Sequence, residues 1–234
     1  MKHLLSIALV AMALSLNAQT TEAPEDFVNK GNAAVQLKDY KGAFENYQKA
    51  FDLYEKQGKA KDIAPETIYN AGYCAHKANL HDDAITYLKK AIELNVKEAK
   101  PYQNLAETYK AKKDNEMFEK TLEEGLAKYP DDKALNKLMA NLYVSKGNAF
   151  YKEGTKIKAD ANKSGLSQSD PDAYNAELEK SKAEFEKALP LIEKAYKYDN
   201  KNKNALKMLS NIYTALERED DAAKIKAELD AIQK

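Results

Sequence analysis

The chain has no tryptophan, one cysteine, three histidines, eight glycines and six prolines in 234 residues. Each shortage excludes something. A single cysteine, Cys74, cannot close an internal disulfide, so no cross-linked scaffold is available. Only His76 and His81 lie beyond the first few residues, which leaves most zinc sites and nucleophilic triads without members. The chain also lacks G-x-S-x-G, Ser-x-x-Lys, H-E-x-x-H and a phosphate-cradling glycine loop. Adjacent carboxylates such as Glu123 and Glu124 stand on lysine-rich segments, where they read as solvated ion-pair partners. No enzyme is expected, and no cofactor or metal. Charge of one sign is missing too: 37 Lys plus Arg balance 37 Asp plus Glu. A nucleic-acid partner is therefore not expected, because such affinity comes largely from neutralising phosphates.

Long hydrophobic runs are absent apart from Leu4–Leu16. As a helix that run would span about 20 Å, short of a bilayer core of roughly 30 Å. Lys2 and His3 precede it, and the small residue Ala18 follows before Gln19, so residues 1–18 read as a signal peptide. Gln directly after the small residue resembles leaders of the Bacteroidetes type. The mature chain is expected to be exported to a periplasm and not to span a membrane. An uncleaved anchor is the competing reading.

What the sequence does have is Ala, Leu, Lys and Glu, residues that lose little entropy in a helix. Helical periodicity runs from about residue 24 to the end, without strand alternation. Small residues recur at a fixed step: Gly72, Ala106 and Ala140 are each 34 apart. Ile68 and Tyr102, Tyr109 and Tyr143, Leu88 and Leu122, and Ala91 and Gly125 keep the same period. A 34-residue helix–turn–helix period with a bulky residue, a small residue and a tyrosine resembles the tetratricopeptide repeat. The first unit contributes Phe27, Gly31, Ala43, Tyr47 and Ala50; the third contributes Leu105 and Pro130, with Phe118 in place of the usual alanine. Leu206, Leu209, Ser210, Tyr213 and Ala222 mark the last unit. Several of the fifteen tyrosines thus fall on signature positions.

The resemblance implies an all-α fold, a right-handed α-solenoid of stacked helix–turn–helix repeats. About five units are expected after the leader, within 19–234: 24–57, 65–98, 99–132, 133–202 and 203–234. The fourth is too long. Ala140 and Ser210 are 70 apart, one period plus 36 residues, with the excess placed near 148–182. Asn148–Lys163 reads as a basic amphipathic helix, SGLSQSD as a break, and Asp170 with Pro171 as a helix start. Pro190 should kink the following helix or start a fresh turn near Lys187.

The stretch AGYCAHKANLHDDA, Ala71–Ala84, gathers Cys74, His76, His81, Asp82 and Asp83 like a metal site. The repeat accounts for it instead. Cys74 falls on a packing face, a helix break separates the histidines, and the two aspartates sit in a first turn, where the helix dipole favours them.

In this family the first helices of each unit line a concave groove for peptides or protein segments. The same face here carries Asn32, Tyr69, Tyr73, Gln103, Glu107, Lys137, Asn141, Lys207 and Asn211, which suit an extended chain needing backbone partners. Lys137 with Asn141, and Lys207 with Asn211, match part of the family's carboxylate clamp, but Met208 stands where another Asn or Arg is needed. The expectation is a non-catalytic scaffold for a protein or peptide in the cell envelope, using the groove or the extra segment. A self-associating structural array (a homo-oligomer) and a small-ligand or glycan-binding protein are the alternatives.

Overall fold

The computed structural model describes residues 22–232, and the expected leader lies outside them. Eleven helices follow one another among these residues, with no strand. They are α1 (Pro24–Gln36), α2 (Tyr40–Lys56), α3 (Pro65–Lys77), α4 (His81–Glu93), α5 (Lys100–Ala111), α6 (Asn115–Lys128), α7 (Lys133–Lys163), α8 (Leu166–Ser169), α9 (Pro171–Tyr198), α10 (Lys203–Ala215) and α11 (Glu219–Ala231). The chain is an all-α solenoid of antiparallel hairpins: α1 with α2, α3 with α4, α5 with α6, α7 with α9, and α10 with α11.

Four of the five hairpins use one turn design. Lys38, Asn79, Lys113 and Glu217 each take a left-handed φ near +60° just after the first helix. The next residue's N–H then reaches back to Ala34, Ala75, Tyr109 or Tyr213, closing the helix end. Aspartates start several helices: the carboxylates of Asp39, Asp114, Asp132 and Asp170 accept from the N–H of Gly42, Met117, Leu135 and Ala173. Within a hairpin the small signature residue admits the partner helix. A Cβ at Gly72 would stand 2.9 Å from Leu88 Cγ, and one at Gly31 2.6 Å from the Tyr47 ring. Cys74, expected on a packing face, is fully buried, and burial pushes its thiol up to about 12.

The fourth unit departs from the sequence reading. Asn148–Lys163 is not a separate helix but the continuation of α7, which runs 31 residues. The SGLSQSD stretch holds the one-turn α8 between Gly165, at φ +74°, and Asp170. No fresh turn begins near Lys187: α9 continues through Pro190 to Tyr198. The excess residues therefore lengthen both arms of one hairpin.

A different periodicity holds those arms together. On α7 the buried small residues Ala140, Gly147, Gly154 and Ala161 recur every seven; on α9 so do Ser181, Ala188 and Ala195, and Phe185 and Ile192. Small faces large: a Cβ at Gly147 would stand 2.6 Å from Ile192 Cδ1, and one at Gly154 3.1 Å from the Phe185 ring. Ser181 donates its hydroxyl to the Gly154 carbonyl at 2.8 Å, satisfying a polar group inside the seam. A seven-residue repeat is the pattern of a two-helix coiled seam, not of a 34-residue array.

The core is accordingly in two parts. One runs from α2 through the start of α7, with Phe44, Leu88, Leu122, Leu135 and Met139. The other joins α7, α9, α10 and α11 through Phe185, Ile192, Leu206, Leu209 and Ile212. Tyr143 and Tyr198 border both, their rings stacked 5.9 Å apart and 9° from parallel.

Candidate functional site

The first helices α3, α5, α7 and α10 lie side by side, as the repeat requires. In the regular part, contacts between them keep close to the period. Asn104 donates to the Tyr69 hydroxyl at 3.1 Å, a separation of 35, and His76 meets Thr108 at 2.9 Å, a separation of 32. Between α7 and α10 the contacts shift. Ala140 and Ser210 correspond by sequence at 70 apart, yet Asn202 donates to Asn141 and Asn211 to Tyr151, at separations of 61 and 60. The helix α10 therefore sits about nine residues further along α7, roughly 14 Å.

This step opens a trench. Because α10 begins at the level of Asn141, the first turns of α7 face the α9–α10 turn instead of a helix. A cavity of about 690 Å³ lies there, between Lys133 and Lys137 on one side and Lys197 and Lys201 on the other. It continues through a 410 Å³ cavity that shares Lys137 and Lys201, then through one of 590 Å³ that shares Asn141 and Asn204. The far end is lined by Val144, Asn148, Tyr151, Met208 and Asn211.

Six lysines line the trench, Lys133, Lys137, Lys197, Lys201, Lys203 and Lys207, against two acids, Asp131 and Asp199. None of the six makes an ion pair among the described residues, whereas Lys146, Lys182 and Lys187 nearby are paired. Asp199 is partly spent on its own turn, accepting from the Lys201 N–H at 3.1 Å. The trench thus carries uncompensated positive charge in a chain of zero net charge.

Of the residues read from the sequence, Lys137, Asn141, Lys207 and Asn211 come together here. The others stand elsewhere on the first-helix face, several committed to the fold. Asn32 accepts the hydroxyl of buried Tyr47 at 2.7 Å. Gln103 donates to Asp132 at 2.9 Å, holding the carboxylate that caps α7. Tyr69 is buried, its ring stacked on Tyr73 at 6.3 Å, and Tyr40 meets Tyr73 edge-on at 5.9 Å. Burial pushes the half-covered Tyr73 hydroxyl up to about 12, so Tyr73 is a neutral donor.

Glu107 is exposed and faces His76 Nε2 at 3.4 Å. The Thr108 hydroxyl gives its one proton to the Asn104 carbonyl at 2.7 Å, so His76 Nδ1 is the donor in its contact with Thr108. Burial holds His76 below the ordinary histidine value, against the pull of Glu107 in the other direction. Asp82, in the suspected metal stretch, pairs with Lys112 instead. Among the described residues no three His, Cys, Asp or Glu side chains converge as a metal site, and no helix is long and apolar enough to cross a membrane.

Sequence reasoning did not single out Asn148, Tyr151, Lys133, Lys197, Lys201 and Lys203. Nothing in the 34-residue pattern brings the 197–201 turn against 133–137, because that meeting depends on the displacement of α10.

The comparisons with known proteins agree with this architecture. Two models of the tetratricopeptide repeat family match, over residues 27–95 and 75–142. The chain belongs to the tetratricopeptide repeat family. Proteins of this family are generally protein-interaction scaffolds. Among solved structures, a TPR repeats protein from Bacteroides fragilis is similar at 23% identity, covering 83% of this chain and 99% of that one, with a TM-score of 0.51. The MamA RS-1 ArsTM double mutant is similar at 13% identity, covering 90% and 94%, with a TM-score of 0.52. At these identities the likeness is one of fold. No curated protein matches the sequence.

Proposed function

We propose that this protein is a non-catalytic docking scaffold of the bacterial cell envelope that holds a protein segment on the face formed by its first helices. The observation that carries the reading is the trench on that face. It is continuous, polar and lined by six lysines that make no ion pair among the described residues. An extended segment has unpaired backbone carbonyls and amides, and Asn, Lys and Tyr side chains are suited to meet them. Neither the trench nor the tyrosine cluster groups a nucleophile with a base, which supports binding over chemistry. The envelope location rests on the sequence of residues 1–18.

The test is photo-crosslinking in the native host, with the reactive residue at Asn148 in the trench or at Lys158 on the long hairpin, followed by mass spectrometry. One dominant envelope protein captured from Asn148 supports the scaffold. Capture of other copies of this chain alone replaces it with a self-assembling array. N-terminal sequencing of the same material checks export: the mature chain is expected to begin at Gln19.

A further inference from the structure

We infer that the partner is an acidic segment that lies lengthwise in the trench, parallel to α7, with its acidic end at the α9–α10 turn and an apolar end at Tyr151. This deepens the scaffold reading and rests on it. Three observations lead to it.

The first is direction. The linked cavities follow α7 from Lys133 through Lys137 and Asn141 to Asn148 and Tyr151. Eighteen residues of helix cover roughly 27 Å, the length of about eight extended residues. The trench exists because α10 is displaced along α7, so its axis is the seam between two helices rather than a line across successive units.

The second is the charge gradient. Lys133, Lys137, Lys197, Lys201 and Lys203 cluster toward the turn end, all exposed and without an ion-pair partner among the described residues. Converging like charges raise one another's energy, and an anionic ligand relieves that repulsion while gaining attraction from several lysines at once.

The third is the change of character at the far end. There Val144, Met208 and the Tyr151 ring stand beside a single lysine, Lys207, with Asn148 and Asn211 as polar partners. Asn211 holds the Tyr151 hydroxyl at 2.7 Å, which fixes the ring as a wall. Asn148 and Tyr151 belong to the lengthened part of α7. A helix of ordinary repeat length, like the 13 residues of α3 or α10, would stop short of them. The extension of the fourth unit therefore completes the trench.

The test uses the full chain and synthetic eight-residue peptides carrying four acidic residues at one end and Leu and Phe at the other, in both chain directions. A photoreactive group is placed at either end. One acidic peptide is expected to bind, to weaken as salt rises, and to lose about tenfold or more in affinity with the Lys133→Glu/Lys137→Glu/Lys201→Glu variant. The equally charged Lys152→Glu/Lys156→Glu/Lys158→Glu variant on the distal hairpin is expected to bind like the unaltered chain. Crosslinks from the acidic end should fall in 133–137 or 197–203, and those from the apolar end at 148–151 or 211. Equal loss in both variants, or no binding by either peptide, overturns the acidic partner. Crosslinks spread over Tyr73, Glu107 and Asn141 overturn the lengthwise placement, because the segment then crosses the array. Capture of a neutral or basic envelope protein from Asn148 in cells would leave the scaffold standing while this inference falls. If Asn148 captures only other copies, the scaffold reading itself fails.

Discussion

At Gly72 a methyl group would stand 2.9 Å from Leu88 Cγ and 3.0 Å from the Leu88 backbone nitrogen. A backbone atom cannot step aside as a side-chain tip can, so Gly72→Val should force α3 and α4 apart. Chemical denaturation should show a loss of about 1–3 kcal/mol, the usual cost of overpacking. The opposite sign is expected in the turns. Lys113 holds φ +61° although it carries a Cβ, a conformation that costs an ordinary residue roughly 1–2 kcal/mol. Lys113→Gly should raise stability by about 0.5–1 kcal/mol, less than the full strain because glycine loses more entropy on folding.

His76 adds a pH dependence whose sign follows from its environment. Burial favours the neutral ring, so its folded value lies below the ordinary 6.5. On acidification the unfolded chain takes up that proton before the folded one does. The contribution of His76 is therefore complete above 6.5 and is lost as the pH falls toward the lowered folded value. Urea midpoints at about pH 7.5 and 5.5 should separate less in His76→Asn than in the unaltered chain.

At the level of elements, two packing codes meet in α7. Its first turns obey the 34-residue code, with Leu135 and Met139 in the first core. From Ala140 onward it obeys the seven-residue code that binds it to α9. The long hairpin is tied to the last unit through Tyr151 with Asn211 and Lys182 with Glu217, and residues 155–161 and 174–180 lie beyond both ties. Deleting one full repeat from each arm, 155–161 with 174–180, keeps small opposite large and should leave a folded chain with a shorter hairpin. Circular dichroism should report less helix with a cooperative melt. Deleting only 155–158 leaves Gly154 opposite Phe185 but shifts Ala161 and the α8 turn by four residues against α9, which breaks the seven-residue step at the tip and should lower the melting temperature by several degrees more.

For the whole molecule, the two cores are coupled through α7 and the Tyr143–Tyr198 stack. The contact of α7 with α6 is thinner than that of α3 with α2 or α5 with α4. Solenoid stability is a sum of unit terms and nearest-neighbour terms, so the weakest interface sets where cooperativity fails. Tyr143→Ala should broaden urea unfolding or split it into two transitions, the amino-terminal units separating from the last two. A single transition with an unchanged slope would show that α7 alone suffices to couple them.

The solenoid was legible in the sequence because its determinants are local and periodic. A small residue at 72 or 106 needs a bulky neighbour sixteen positions on, Leu88 or Leu122, and both lie on one hairpin. The same logic placed Cys74 in the core and gave Asp170 and Pro171 as a helix start, borne out by the bond from the Ala173 N–H. The trench was only partly legible. Lys137, Asn141, Lys207 and Asn211 could be read from the repeat, which fixes which face of a helix a residue takes. The helix α10 lies against the middle of α7 because a seven-residue seam, starting at Ala140, resets the register between distant segments. That register is a tertiary choice: it depends on how two long helices interlock, not on the spacing within either. It alone brings the 197–203 turn to Lys133 and Lys137, and Tyr151 to Asn211.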